Sequence, residues 1–73
     1  MKDITWGTRS AFNMGRVEGT DYRLERSKDD AGYWSYMISN DHRTYLHVDN
    51  TKFPSMKDME HAIREWIHER TKK

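Results

Sequence analysis

Tyr33-Trp34-Ser35-Tyr36-Met37-Ile38, residues 33–38, decides how this chain folds. The stretch opens just after Gly32 and is dense in aromatic and branched side chains that favour strands. Alternation with period two sends Trp34, Tyr36 and Ile38 one way and Tyr33, Ser35 and Met37 the other. Upstream, Tyr22 and Leu24 alternate with Arg23 and Glu25, which predicts a strand over 20–27. The polar run Ser27-Lys28-Asp29-Asp30-Ala31-Gly32 is the turn that joins the two antiparallel. Downstream, Ser39-Asn40-Asp41-His42-Arg43 reads as a second turn. The strand after it, Thr44 to Val48, places Leu46 and Val48 on the inner face and Tyr45 and His47 on the outer one.

A change of period marks the end of this sheet. Asp49 to Lys52 reads as a loop, and Phe53-Pro54 leads into Ser55-Met56-Lys57-Asp58, a helix start with serine as cap and an acid three residues on. Met56, Met59, Ile63, Trp66 and Ile67 then fall on one stripe at 100° per residue, while Lys57, His61, Arg64 and His68 lie on another face. The helix is expected over 55–70. In the first nineteen residues, Ile4 and Trp6 suggest a short strand or ordered arm around 3–6, and Phe12 and Met14 a strand around 11–17. The expected fold is α+β: a small antiparallel β-meander of three to four strands, with 20–48 as its body, packed on one C-terminal amphipathic α-helix. Residues 1–73 form a single small domain.

Composition agrees with a folded domain of limited core. The chain has 73 residues, only 34% of them hydrophobic, with a mean hydropathy of −1.16. Nine aromatic residues, three of them tryptophan, are nevertheless more than a solvated tail carries. There is no cysteine, which excludes a disulfide scaffold, a thiol nucleophile and thiolate zinc sites. Apolar residues never run far enough to form a signal-peptide core or a membrane span of about 20 residues. An intracellular, cytoplasmic setting is therefore expected. Thirteen Lys and Arg face twelve Asp and Glu, so no global field steers a polyanion to the chain.

Catalytic and metal-binding patterns are not found. His61 and His68 are two helical turns apart, about 10 Å, too far to share an ion. His42 and His47 have no defined approach. None of Ser10, Ser27, Ser35, Ser39 and Ser55 lies in a nucleophile elbow, and Gly15 and Gly19 are not followed by the Lys-Ser or Lys-Thr of a phosphate loop. No enzyme activity, cofactor or metal is expected.

What remains is binding. The sheet face turned away from the helix is expected to show Arg23, Tyr33, Met37, Tyr45 and His47, with Arg26, Lys28 and Arg43 at or near strand ends. Trp, Tyr, Met and Arg are the side chains enriched at tight protein interfaces. Trp6, Phe12 and Met14 are expected to join such an interface, unless Trp6 and Phe12 cover the open end of the core. The preferred expectation is a non-enzymatic binding protein that docks on another protein, an inhibitor or adaptor of the kind used by phages and mobile elements. It would be a monomer or a weak homodimer paired through an edge strand.

The alternative expectation is nucleic-acid binding, with aromatics stacking bases and cations pairing phosphates. Tyr22-Arg23-Leu24-Glu25-Arg26, Gly32-Tyr33-Trp34-Ser35-Tyr36, a short third strand and a helix through Ala62-Ile63-Arg64-Glu65-Trp66 resemble the N-terminal arm-binding domains of phage integrases. The resemblance implies a three-stranded sheet packed on one helix, with the sheet contacting DNA.

Overall fold

Two turns of the same design organise the chain. Asp29 accepts the backbone N–H of Ala31 at 3.0 Å and of Tyr33 at 2.9 Å through one carboxylate oxygen. Asn40 does the same for His42 at 2.9 Å and Thr44 at 3.0 Å through its amide oxygen. A short acceptor side chain thus satisfies the amides two and four residues on and reverses the chain. Gly32, at φ +92°, supplies the left-handed residue that the first turn needs. Lys52 donates to the other Asp29 oxygen at 2.7 Å. That ammonium and the Tyr33 amide together hold the Asp29 carboxyl below the usual carboxylate range.

The computed structural model describes residues 3–42 and 44–71. Strands β1 (Ile4–Trp6), β2 (Met14–Val17), β3 (Arg23–Lys28), β4 (Trp34–Ser39) and β5 (Tyr45–Phe53) form one antiparallel sheet in the order β1-β2-β3-β4-β5. A single helix, α1 (Met56–Thr71), follows. The architecture is the expected α+β meander on a C-terminal helix, with five strands rather than three or four. Both segments of uncertain role near the start are strands of the same sheet. They hold because Trp6 faces Gly15 across the β1–β2 pair, so the indole covers a backbone position that lacks a side chain. A short 3-10 turn, Arg9–Ala11, connects them.

Strand β5 departs from its expected course in two ways. Tyr45 pairs with Ser39, whereas His47 pairs with Ile38, so Leu46 is an extra residue on one side of the ladder. Such a bulge inverts the alternation beyond it. His47 therefore faces the helix, and Val48 turns outward, 50% exposed. That reverses the expectation of His47 outside and Val48 inside. The strand also does not stop at Val48. Asp49 accepts the Thr51 amide at 2.9 Å in a local turn, and pairing resumes where Phe53 meets Trp34.

Helix α1 begins as its sequence predicts. The Ser55 hydroxyl accepts the Asp58 amide at 3.2 Å and donates to the Asp58 carboxylate at 3.1 Å. Met59, Ile63 and Ile67 are buried against Val17, Leu24, Tyr36 and Ile38 of the sheet, and these seven residues are the core. Ile4, Trp6, Trp34, Phe53, Met56 and Trp66 pack around it, half-buried. Large rings at the rim extend a small apolar centre, which is how a third-apolar chain closes a core. The sheet is thereby covered on one face and open on the other.

Candidate binding surface on the open sheet face

Residues paired across antiparallel strands point to the same side, so the register lays out the open face row by row. One row runs Thr5, Arg16, Arg23, Ser39 and Tyr45 across all five strands. The next runs Met14, Glu25, Met37 and Val48 across β2 to β5. Ser27 and Ser35 follow, with their hydroxyls 3.0 Å apart. Met14, Tyr45 and Val48 are 44%, 56% and 50% exposed, a large share for side chains this apolar.

Asp41, in the β4–β5 turn, reaches back over this face. Its Oδ1 atom accepts a hydrogen bond from Arg23 Nε at 3.0 Å and lies 3.6 Å from an Arg16 terminal nitrogen. Arg16 and Arg23 are directly opposite one another, and like charges so placed repel unless a counter-charge lies between them. Beside them Thr5, Gly7, Met14, Arg16 and Arg23 line an open cavity of about 270 Å³, with Trp6 and Gly15 at its back.

Of the residues expected to bind, Arg23, Met37 and Tyr45 share the open face. Tyr33 is 42% exposed but sits in the turn before β4, at the far end of that strand from the Ser39–Tyr45 pair. Six residues of strand separate the two tyrosines by about 20 Å, so they cannot share one stacked base. Phe12 is 51% exposed in the β1–β2 connection, beside the sheet. Arg43 lies outside the described residues.

Trp6 and His47 belong to the other face. Trp6 donates its indole N–H to Glu60 of the helix at 2.7 Å. His47 stacks on Trp66, with ring centroids 5.4 Å apart and planes at 22°. Arg26, expected at a strand end, also faces the helix, because it pairs with buried Tyr36. Its guanidinium lies 4.3 Å from the Trp6 ring centre and 5.4 Å from that of Trp34, and donates to the Phe12 carbonyl at 2.6 Å and to Met56 sulfur at 3.3 Å. Lys28 rests 5.3 Å from the Trp34 ring. These two cations are engaged by the protein's own aromatics.

Met14, which the sequence offers as an interface residue, lies on this surface, and Arg16, Asp41 and Val48 are parts of it that the sequence reading did not assign. Arg16 was legible in principle, since it alternates with Gly15 and Val17. Val48 was not, because nothing in Tyr45-Leu46-His47-Val48 marks Leu46 as the bulge.

On the covered side, burial and the neighbouring Asp49 carboxylate push the Tyr36 hydroxyl well above the ordinary tyrosine range. Burial works against ionised Asp49, yet the Thr51 hydroxyl and amide, the Tyr36 hydroxyl and His47 outweigh it and hold its carboxyl low. This pair lies under the helix. Among the described residues, no group of three or more His, Asp or Glu side chains converges on a common point. No helix among them is long and apolar enough to cross a membrane.

No family model matches the chain, and neither a curated protein nor a solved structure matches it. The likeness to integrase arm-binding domains is one of element order, and here the sheet has five strands where three were implied.

Proposed function

We propose that this chain is a non-enzymatic docking protein that presents the open face of its sheet to another protein, as an inhibitor or adaptor does. The observation that carries this reading is the row Met14–Glu25–Met37–Val48, flanked by Tyr45, on a face whose two arginines already share the Asp41 carboxylate. Methionine adapts its shape to a partner surface, and tyrosine gives broad contact at modest entropic cost. A polyphosphate would instead require unpaired cations along a track, and Arg26 and Lys28 are turned to the helix side. Two rings about 20 Å apart supply no stacking ladder.

The test places a photo-crosslinking residue at Tyr45 or Val48 and, as control, at His61 on the exposed side of the helix. Full-length protein is then irradiated in extract of the source cells. A protein adduct from the sheet positions alone, lost when Met37→Lys is added, is the expected result. Titration of duplex DNA, single-stranded DNA and RNA at two salt concentrations covers the alternative. Steeply salt-dependent binding that disappears in Arg16→Ala and Arg23→Ala would replace docking with nucleic-acid recognition.

A further inference from the structure

Resting on the reading of the open sheet as a docking surface, we infer that this face, when no target occupies it, closes on a second copy of the chain to form a two-fold dimer. Net charge does not choose the occupant. Asp41 faces Arg16 and Arg23, Glu18 accepts a hydrogen bond from the Thr5 hydroxyl at 3.0 Å beside them, and Glu25 lies in the adjoining row, so cations and acids nearly balance. Their arrangement does choose. Among the described residues nothing pairs with the half-buried Glu25 carboxylate, although it stands in the middle of an apolar row. Asp41 engages Arg23 by a hydrogen bond to Nε alone, which leaves the terminal nitrogens of that guanidinium with donors to offer.

Arg23 and Glu25 both point out of the open face of β3, the middle strand of the five. Their spacing along that strand is about 6.8 Å. A two-fold axis that passes over Leu24, in the plane between two facing sheets and across their strands, turns β3 end for end. It sets Arg23 of each copy over Glu25 of the other, so one acid–cation pair forms twice. Such reciprocity is what a self-complementary interface requires. Both residues lie one step from the axis, so the ~30° angle between packed sheets hardly separates them.

The same rotation suits the flanking strands. It brings Tyr45 beside Val48 of the other copy and Arg16 beside Met14, so that exposed apolar side chains and the stem of an arginine cover one another. A nucleic acid has no such fit, since Glu25 repels phosphates at the centre of the face. Pairing along the β5 edge, the other route to a dimer, is blunted by its two register shifts.

Sedimentation equilibrium of the full chain over a wide concentration range is expected to show monomer and dimer in exchange. Glu25→Arg and Arg23→Glu each put like charges face to face and should each weaken the dimer at least about tenfold. An equimolar mixture of the two variants should regain it, because in the mixed pair every acid again lies over a cation. Circular dichroism and thermal unfolding establish that each variant keeps the fold, and a variant that had lost it would not be rescued by mixing. Val48→Lys, on a different strand from this pair, should weaken the dimer as well.

A chain that stays monomeric at every concentration, yet still forms an adduct with another protein from Tyr45 in extract, overturns this inference and leaves docking intact. A chain that does neither overturns both. A dimer indifferent to Glu25→Arg, Arg23→Glu and Val48→Lys overturns the use of this face and moves the contact to a strand edge or the helix. A dimer lost in the folded charge variants and not regained on mixing them overturns the two-fold pairing of Arg23 with Glu25.

Discussion

Trp6 and Glu60, 54 positions apart in the chain, are joined by a 2.7 Å hydrogen bond from the indole N–H to the helix carboxylate. This bond fastens the outermost strand to the helix and fixes the indole where it covers Gly15. Bonds to charged groups contribute about 1.5–3 kcal/mol when protected, and the Glu60 side chain is only 25% exposed. Glu60→Ala should therefore cost about 1–2 kcal/mol, a drop of roughly 4–16 °C in Tm for a domain of this size. Trp6→Phe should lose the same bond. Adding Glu60→Ala to Trp6→Phe should then cost little more, which a double-mutant cycle in urea checks.

The same indole makes Gly15 irreplaceable. A Cβ there would lie 2.5 Å from Trp6 Cε3 and 2.8 Å from the Thr5 carbonyl oxygen. The ring has little room to retreat while held by Glu60, and the carbonyl belongs to the adjoining strand. Gly15→Ala should destabilise by roughly 1–3 kcal/mol through overpacking, despite alanine's lower entropic cost in a strand. A urea midpoint equal to that of the parent chain would show that Trp6 does not cover this glycine.

Arg26 is predicted to be a stability residue. Its cation sits between Trp6 and Trp34 and donates to the Phe12 carbonyl. Cation–aromatic contacts give about 0.5–2 kcal/mol, and the charged hydrogen bond adds to them. Arg26→Ala should cost about 2 kcal/mol, and Arg26→Lys, which keeps charge but loses the planar stack, about half of that. Neither should alter the docking proposed for the open face, as crosslinking from Tyr45 in the folded variants would report.

Stability should fall at both ends of the pH scale for reasons traceable to one pair. Asp49 has a lowered carboxyl pKa in the fold, so its contribution is present above the ordinary carboxylate value of about 4 and is lost as pH falls through the folded value. Asp29, held by Lys52, adds to the same acid limb. Tyr36 is raised, so its contribution is present below about pH 10 and is lost as pH rises further. Urea midpoints measured from pH 2 to 11 should show a plateau between these limits. Asp49→Asn should be less stable at neutral pH yet have a shallower acid limb, and Tyr36→Phe should flatten the alkaline one.

Much of this protein is written locally. Ser55 and Asp58 start the helix, and Met59, Ile63 and Ile67 define its buried stripe, because capping and 3.6-residue periodicity involve neighbours in the chain. Asp29 and Asn40 set the turns for the same reason. The alternation of Tyr36 and Ile38 with Met37 fixed the two faces of β4.

Other features depend on partners that no local pattern names. Whether Ile4 to Trp6 is an arm or a fifth strand rests on Gly15 and Glu60, remote in sequence. Arg26 reads as a surface cation until Trp6 and Trp34 close around it. The sidedness of His47 and Val48 turns on one unpaired residue, Leu46, and a bulge belongs to the fit between two strands rather than to either sequence. Alternation along one strand is a local rule. Which side is inward after an interruption is decided by what the neighbouring strand and helix leave room for, and this is why the open face took shape only in the folded molecule.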